Sequence, residues 1–434
     1  MSEYFEIAYA ALNNRLCLFT GTGFSKAVSD NKAPTWQGLL EGICVYCDDS
    51  DEIRSSLFPD DGKNLLSLEE SAQVLEIELL KNGKNIHEEI ANTISKIDLC
   101  DGIDGTRDFC QKHRLRVVTT NYDKLMEKLC GEIDCQSLTP GLPIPRSSAR
   151  VRVYHVHGST DVPKNMVVTA DDYFRFLNSE SYFSRKLSTV LHENTVVILG
   201  YSLGDTNLKA ILSDYKGFAR DHVIGSNIFL VSRVKVDRHI KDYYSNCYGI
   251  RVIDETEVAA FFKTLTDAIP SAEKCVESTL TNIRKVIFEE HNFTKNYLKL
   301  EDSFYEIVSS ISAIGLSINH TRVVDMFGDI IKQKSELSSE SGAWDQYTHL
   351  SRWLIYLATI LDVKATPIED IYLRAVRASM ESMSNELRLG YSWQSYKAWR
   401  AKWDSITPAN RALIKDYITK QSSWNDALSI VNLG

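Results

Sequence analysis

Arg15-Leu16-Cys17-Leu18-Phe19-Thr20-Gly21-Thr22-Gly23-Phe24-Ser25 reads as a short buried strand, Leu16 to Phe19, running into a glycine-containing turn that opens a helix. Two glycines one residue apart, directly after a strand, let backbone N–H groups approach a pyrophosphate, and Ser25 adds a hydroxyl at the helix start. The third glycine of the dinucleotide fingerprint is missing, so the stretch by itself also suits a plain strand-to-helix turn.

The same design recurs downstream. Arg114 to Asp123 (RLRVVTTNYD) is a second strand, Val117 to Thr119, ending in polar residues. Val151 to Ser159 (VRVYHVHGS) is a third, Asn194 to Ser202 (NTVVILGYS) a fourth and Asn227 to Ser232 (NIFLVS) a fifth. Tyr248 to Asp254 (YGIRVID) reads as a final edge strand before the helical pattern Glu257 to Ile269. Apolar strands separated by helical stretches predict an α/β fold, a Rossmann-like parallel sheet with helices on both faces. Five of the strands end in small or polar residues: Thr20-Gly21, Thr120-Asn121, His157-Gly158, Gly200 to Ser202, and Ser232. In an open parallel sheet the ligand crevice lies beyond the carboxyl ends of the strands, so these residues are expected to converge.

Three of these ends carry candidate chemistry. Asn121 and Asp123 can place an amide and a carboxylate in one crevice; Asp123 also suits an Asx turn or the N-cap of a helix beginning near Lys124. His155 and His157 are expected to share a strand face, with His157 at the strand end beside a glycine that leaves room for a ligand. A histidine there suits general-base work near neutral pH, although a core or turn histidine has the same signature. Gly200 to Asp205 offers a second turn for phosphate or ribose, or an ordinary strand-to-helix connection.

The ordered series GTGFS, TTNYD, VHGS and GYSLGD, followed by a strand ending at Ser232, resembles the sirtuin superfamily, and most of all its bacterial NAD-degrading antiphage branch. The resemblance implies that Gly21, Thr22, Gly23 and Ser25 line the NAD phosphate and ribose pocket. It implies that Asn121 and Asp123 lie beside nicotinamide, that His157 is the catalytic base, and that Gly200, Ser202 and Ser232 face phosphate or adenosine. Protein-deacylating sirtuins carry two CxxC pairs holding zinc after the His-Gly pair, whereas His157 to Gly200 here contains no cysteine. Cys44-Val45-Tyr46-Cys47 supplies two ligands where structural zinc wants four, so no metal is expected. Loss of that module weakens deacylation and favours NAD hydrolysis to nicotinamide and ADP-ribose. An NAD-dependent deacylase or ADP-ribosyltransferase, and a non-catalytic NAD- or ADP-ribose-binding assembly module, are the competing readings.

Composition narrows the remainder. The 434 residues suit two domains, and 49 basic against 58 acidic residues give a net charge of −9, with no basic block for direct nucleic-acid binding. The N-terminus lacks a signal-peptide pattern, and the longest apolar run, Trp353 to Leu361, is about half of a membrane span. Nine scattered cysteines suit a reducing compartment, so a cytoplasmic protein is expected. Ile269 to Ser278 breaks the alternation, which sets the expected domains at 1–270, sirtuin-like and NAD-binding, and 271–434, all-α. The later segment holds six of the seven tryptophans, and Trp393, Tyr396, Trp399 and Trp403 form a helical stripe read as core. By resemblance, such a segment serves oligomerisation or partner docking. The implied assembly is a homo-oligomer, with a HerA-type hexameric ATPase as an additional partner.

Overall fold

The computed structural model describes every residue except 1, 61, 147, 179–181, 202–208, 210, 211, 214, 217–223, 225, 226, 290, 341, 343, 365, 387 and 434. Seven strands form one sheet: β1 (Leu16–Thr20), β2 (Leu115–Thr119), β3 (Cys135–Leu138), β4 (Val151–His155), β5 (Thr195–Leu199), β6 (Ile228–Val231) and β7 (Ile250–Ile253). They run in the order β3-β4-β2-β1-β5-β6-β7, and every pair is parallel. β1 lies at the centre, with Leu18 opposite Val117 on one side and Val197 on the other.

Alternation along the strands divides the side chains between two cores. Leu16, Leu18, Val117 and Val197 face one cluster, shared with Phe261, Phe262 and Leu265 of the helix Val258–Glu289. Cys17, Phe19, Val118 and Ile198 face the other, with Leu187, Val190 and Leu191 of the helix Tyr182–Glu193. Both faces are therefore covered, as the continuous apolar strands require. The strand the sequence does not announce is β3, an edge strand whose Cys-Gln-Ser-Leu is mostly half-exposed and carries no apolar run.

The chain leaves β1 toward β2 and leaves β5 toward β6, so the strand order reverses between β1 and β5. That reversal is where open α/β sheets hold ligands. Between β1 and β2 stands a helical lobe formed by Trp36–Ile43, Ser50–Leu57, Leu68–Lys81 and Ile86–Ile94. Three of these helices start at side-chain caps: Thr35, a Ser67–Glu70 capping box, and Asn85. Its own core, with Leu40, Leu75 and Ile90, closes onto Tyr122, Met166 and Val168 beside the strand ends.

Beyond β7 the described residues form helices, among them Ser303–Ile314, Thr321–Ser338, Asp345–Ile360, Glu369–Glu381, Gly390–Lys402 and Pro408–Gln421. The aromatic stripe is core: Tyr396, Trp399 and Trp403 are buried, and Trp393 lies half-buried under the Lys397 ammonium, 3.8 Å from its ring centre. The boundary expected at 270 falls inside the single helix Val258–Glu289, with Pro270 within it. Pro270 lacks the N–H a helix interior uses, but Ile269, Ala272 and Cys275 bury their side chains around it and carry the helix past that point. The apolar cluster on that side is continuous from Phe5 to Val431.

Candidate functional site

Ser25 joins the first two motifs. The apolar strands β1 and β2 are neighbours, so the helix after β1 and the turn after β2 start side by side. Ser25 Oγ accepts a hydrogen bond from Asn121 Nδ2 at 2.7 Å and donates to Asp123 Oδ2 at 2.7 Å. Asp123 Oδ1 accepts from the backbone N–H of Leu125 at 3.0 Å, where the helix Leu125–Cys130 begins. One Asp123 oxygen therefore makes an Asx turn at the helix start, and the other is taken by Ser25. Burial pushes the Asp123 carboxyl above its ordinary range, against the Ser25 hydroxyl and the Leu125 N–H, which favour the anion. Thr119 Oγ1 completes the corner, donating to the Thr20 carbonyl at 3.1 Å and accepting from the Asn121 N–H at 3.1 Å.

The turn after β4 is laced to the same segment. Val156 N–H donates to the Thr119 carbonyl and Thr160 N–H to the Tyr122 carbonyl, each at 3.0 Å. Val167 ties the two again, its N–H on the His157 carbonyl at 2.8 Å and its carbonyl accepting from the Tyr122 hydroxyl at 2.5 Å. β4 ends at His155, so the expectation that both histidines stand on one strand face is corrected: His157 lies in the turn beyond it. The His157 ring is 8% exposed and meets Tyr173 and Phe176 edge to face at 5.7 and 5.2 Å.

His155 has the role of a structural anchor that sequence reading did not assign. It is fully buried, with Nε2 2.8 Å from Glu127 Oε1 and Nδ1 3.1 Å from the Asn121 carbonyl. Lys124 brings an ammonium to Glu127 at 2.8 Å and bridges to Asp161 at 2.7 Å. Burial alone would raise the Glu127 carboxyl; His155 and Lys124 outweigh it and hold the group down at about 2. The signal available in the sequence was slight, a glutamate four residues after Asp123 on a predicted helix.

The glycines pack protein against protein. Gly23 N–H donates to the Gly200 carbonyl at 2.7 Å and Gly21 N–H to the Leu199 carbonyl at 3.1 Å, so both amides are engaged across the β1–β5 reversal. Gly200 has φ +61°, and a Cβ there would lie 1.9 Å from Phe24 N. The room beside His157 is likewise taken: a Cβ on Gly158, φ +86°, would meet the Asn165 carbonyl at 2.7 Å. The expectation that this glycine leaves space for a ligand is corrected, because backbone fills the space. Thr22, half-buried, opens the helix Thr22–Val28 between the two glycines. Ser232 stands apart beyond β6, two strands from β1, with its hydroxyl on the Val234 carbonyl at 2.8 Å. Ser202 lies outside the described residues.

Cys44 and Cys47 point into the core of the helical lobe. Among the described residues, no group of three or more His, Cys, Asp or Glu side chains is placed to hold a metal ion. Nor, among them, is any helix long and apolar enough to cross a membrane. The lobe itself contributes to the site's surroundings: Trp36 packs edge to face on Tyr122 at 5.9 Å, and His87 Nε2 lies 2.8 Å from Asp172 Oδ2 at the start of the helix that faces His157.

Residues 115–253, from the start of β2 to the end of β7, match the family described as SIR2-like domain. Over 256 residues the chain is 23% identical to defense-associated sirtuin 2 of Bacillus subtilis, covering 57% of this chain and 24% of that protein. It is 34% identical over 110 residues to the NAD(+) hydrolase ThsA of Enterococcus faecium, 24% of this chain and 23% of that one. With ThsA of Cytobacillus dafuensis the figures are 23% over 219 residues, 48% and 39%. The chain thus spans about a quarter of the length of the first two relatives. The stretch similar to the SIR2-like domain family, Leu115 to Ile253, takes in strands β2 to β7 of the seven-stranded parallel sheet, which helices flank and a helical region follows.

Proposed function

We propose that the chain hydrolyses NAD to nicotinamide and ADP-ribose and serves as an antiphage effector by depleting NAD. The observation that carries this reading is the Asn121–Ser25–Asp123 chain of hydrogen bonds at the ends of β1 and β2, laced to the turn that holds His157. The relatives named NAD(+) hydrolase and defense-associated sirtuin support it.

In this reading NAD lies across the strand ends near the β1–β5 reversal, with Thr22 and Ser25 on its ribose-phosphate side and Gly200, Ser202 and Ser232 toward the adenosine. The nicotinamide C1′–N bond breaks through an oxocarbenium-like transition state, and its electron pair leaves with nicotinamide. Water then adds to C1′ and loses a proton. Asn121, held by Ser25, orients the ribose or the water with its carboxamide, and His157 accepts the proton. Asp123 has both oxygens engaged inside the protein, so its part is to fix Ser25 and, through it, Asn121.

Chromatography of the products formed by the purified full chain with NAD, beside Asn121→Ala and His157→Ala, tests the proposal. The expected result is nicotinamide and ADP-ribose from the parent chain and a loss of about 100-fold or more in each variant. NAD that binds but stays intact, with and without an acyl-lysine peptide or protein acceptor, would favour the assembly module. Turnover only with an acceptor would favour the transferase or deacylase.

A further inference from the structure

The helix between β6 and β7, Arg238–Tyr248, meets the C-terminal helices Gly390–Lys402 and Pro408–Gln421. A cleft of about 310 Å3 opens there and continues into a second of about 260 Å3. Arg238, Arg400, Arg411 and Lys415 line them against two carboxylates, Asp242 and Asp404. Among the described residues the lining therefore carries two more cations than anions, in a chain whose net charge is −9.

The two carboxylates do not satisfy the four cations. Arg411 Nη2 takes both oxygens of Asp242 at 2.5 Å, leaving Nη1 3.5 Å from Asp404. Arg238 donates from Nη1 to the Leu433 carbonyl at 3.5 Å, while its Nε stands 3.9 Å from Asp242 and 3.9 Å from Asp404, beyond hydrogen-bond reach. Arg238 Nε and Arg411 Nη1 are thus buried N–H groups without a hydrogen-bond acceptor. Arg400 and Lys415 are exposed and, among the described residues, have no ion-pair partner. Guanidinium forks with donors to spare, grouped with a lysine in a concave site, match the oxygens of phosphate. The volume lies in the range of small-molecule sites.

We propose that this cleft binds a diphosphate-bearing small molecule of the charge class of a nucleoside diphosphate. Arg400 and Lys415 hold its outer oxygens, and Arg238 lies at the inner end. Such a ligand would tie the C-terminal helices to the helix whose first residue, Arg238, follows the β6 end at Val231 by seven positions.

Titration calorimetry on the full chain at fixed ionic strength, with inorganic pyrophosphate and then ADP as probes, tests this. Arg400→Ala/Lys415→Ala removes two exposed side chains and leaves the buried Arg411–Asp242 pair intact. Saturable one-site binding of both probes is expected, weakened about tenfold or more in the double variant and unchanged in His157→Ala. The proposal is overturned by the absence of saturable binding, by equal affinity in the double variant, or by binding that His157→Ala abolishes. The last result would place the anion at the strand ends instead.

Discussion

Ser25 donates a 2.7 Å hydrogen bond to Asp123 across 98 positions of sequence, and this bond couples the turn after β1 to the turn after β2. Neither residue's placement depends on the other locally; the parallel pairing of two apolar strands brings them together.

Ser25→Ala tests the coupling. It removes the acceptor of Asn121 Nδ2 and the donor to Asp123 together. Turnover of NAD is expected to fall about 10- to 100-fold, from a hydrogen bond to a charged group worth about 1.5–3 kcal/mol. Steady-state kinetics read the fall, and a thermal melt close to that of the parent chain shows that the fold is kept.

Gly200→Ala addresses the tight crossing of the two glycine turns. The positive φ and a Cβ within 1.9 Å of Phe24 N leave no room for even a methyl group. A destabilisation of about 3 kcal/mol or more is expected, from left-handed backbone strain plus overpacking, measured by urea unfolding. Unchanged stability would mean that the two turns separate freely.

Glu127 governs the acid limb of stability. Its carboxyl is held at about 2 against an ordinary 4.5, so its contribution is complete above pH 4.5 and is lost as pH falls toward 2. The contribution at neutral pH is on the order of 3 kcal/mol. In Glu127→Gln the unfolding free energy should fall less between pH 4.5 and 2.5 than in the parent chain. Parallel acid-unfolding curves would contradict the assignment.

Lys334 works in the opposite pH range. It is fully buried in the helix Thr321–Ser338, bonded to the Leu298 carbonyl at 2.8 Å and Gln346 Oε1 at 2.6 Å, and it stands over the Trp353 ring. Burial pulls its ammonium down to about 7 from 10.5. The folded state thus binds fewer protons than the unfolded one between those values, and stability gains from Lys334 as pH rises through them. Relative to Lys334→Met, the parent chain should gain stability from pH 7 to pH 10. Calorimetric melts across that range would show the widening difference.

The sequence revealed the sheet wherever a strand was apolar enough to be buried on both sides. β3 escaped because an edge strand of Cys-Gln-Ser-Leu has no such run. At the candidate site, Ser25, Asn121, Asp123 and His157 were legible from their positions after strands. The His155–Glu127 pair was not, since it joins a strand to a helix 28 positions away. The glycines misled in a specific way: their motif signals close approach, but not by what, and here the approaching group is the protein's own backbone. The helical pattern read from Glu257 to Ile269 runs on to Glu289, because side chains beyond Pro270 such as Ala272, Cys275, Ile283 and Ile287 are buried, a packing that local sequence does not display.

That helix has a consequence for dissection of the molecule. Val258–Glu289 starts against the sheet, with Phe261 and Phe262 in the core beneath β1 and β2, and its later residues Ile283 and Ile287 belong to the same cluster as the C-terminal helices. A chain cut at residue 270 would sever this shared spine after its first turns and leave the remainder as a solvent-facing greasy wall. The sheet and the helical region are therefore expected to melt as one cooperative unit.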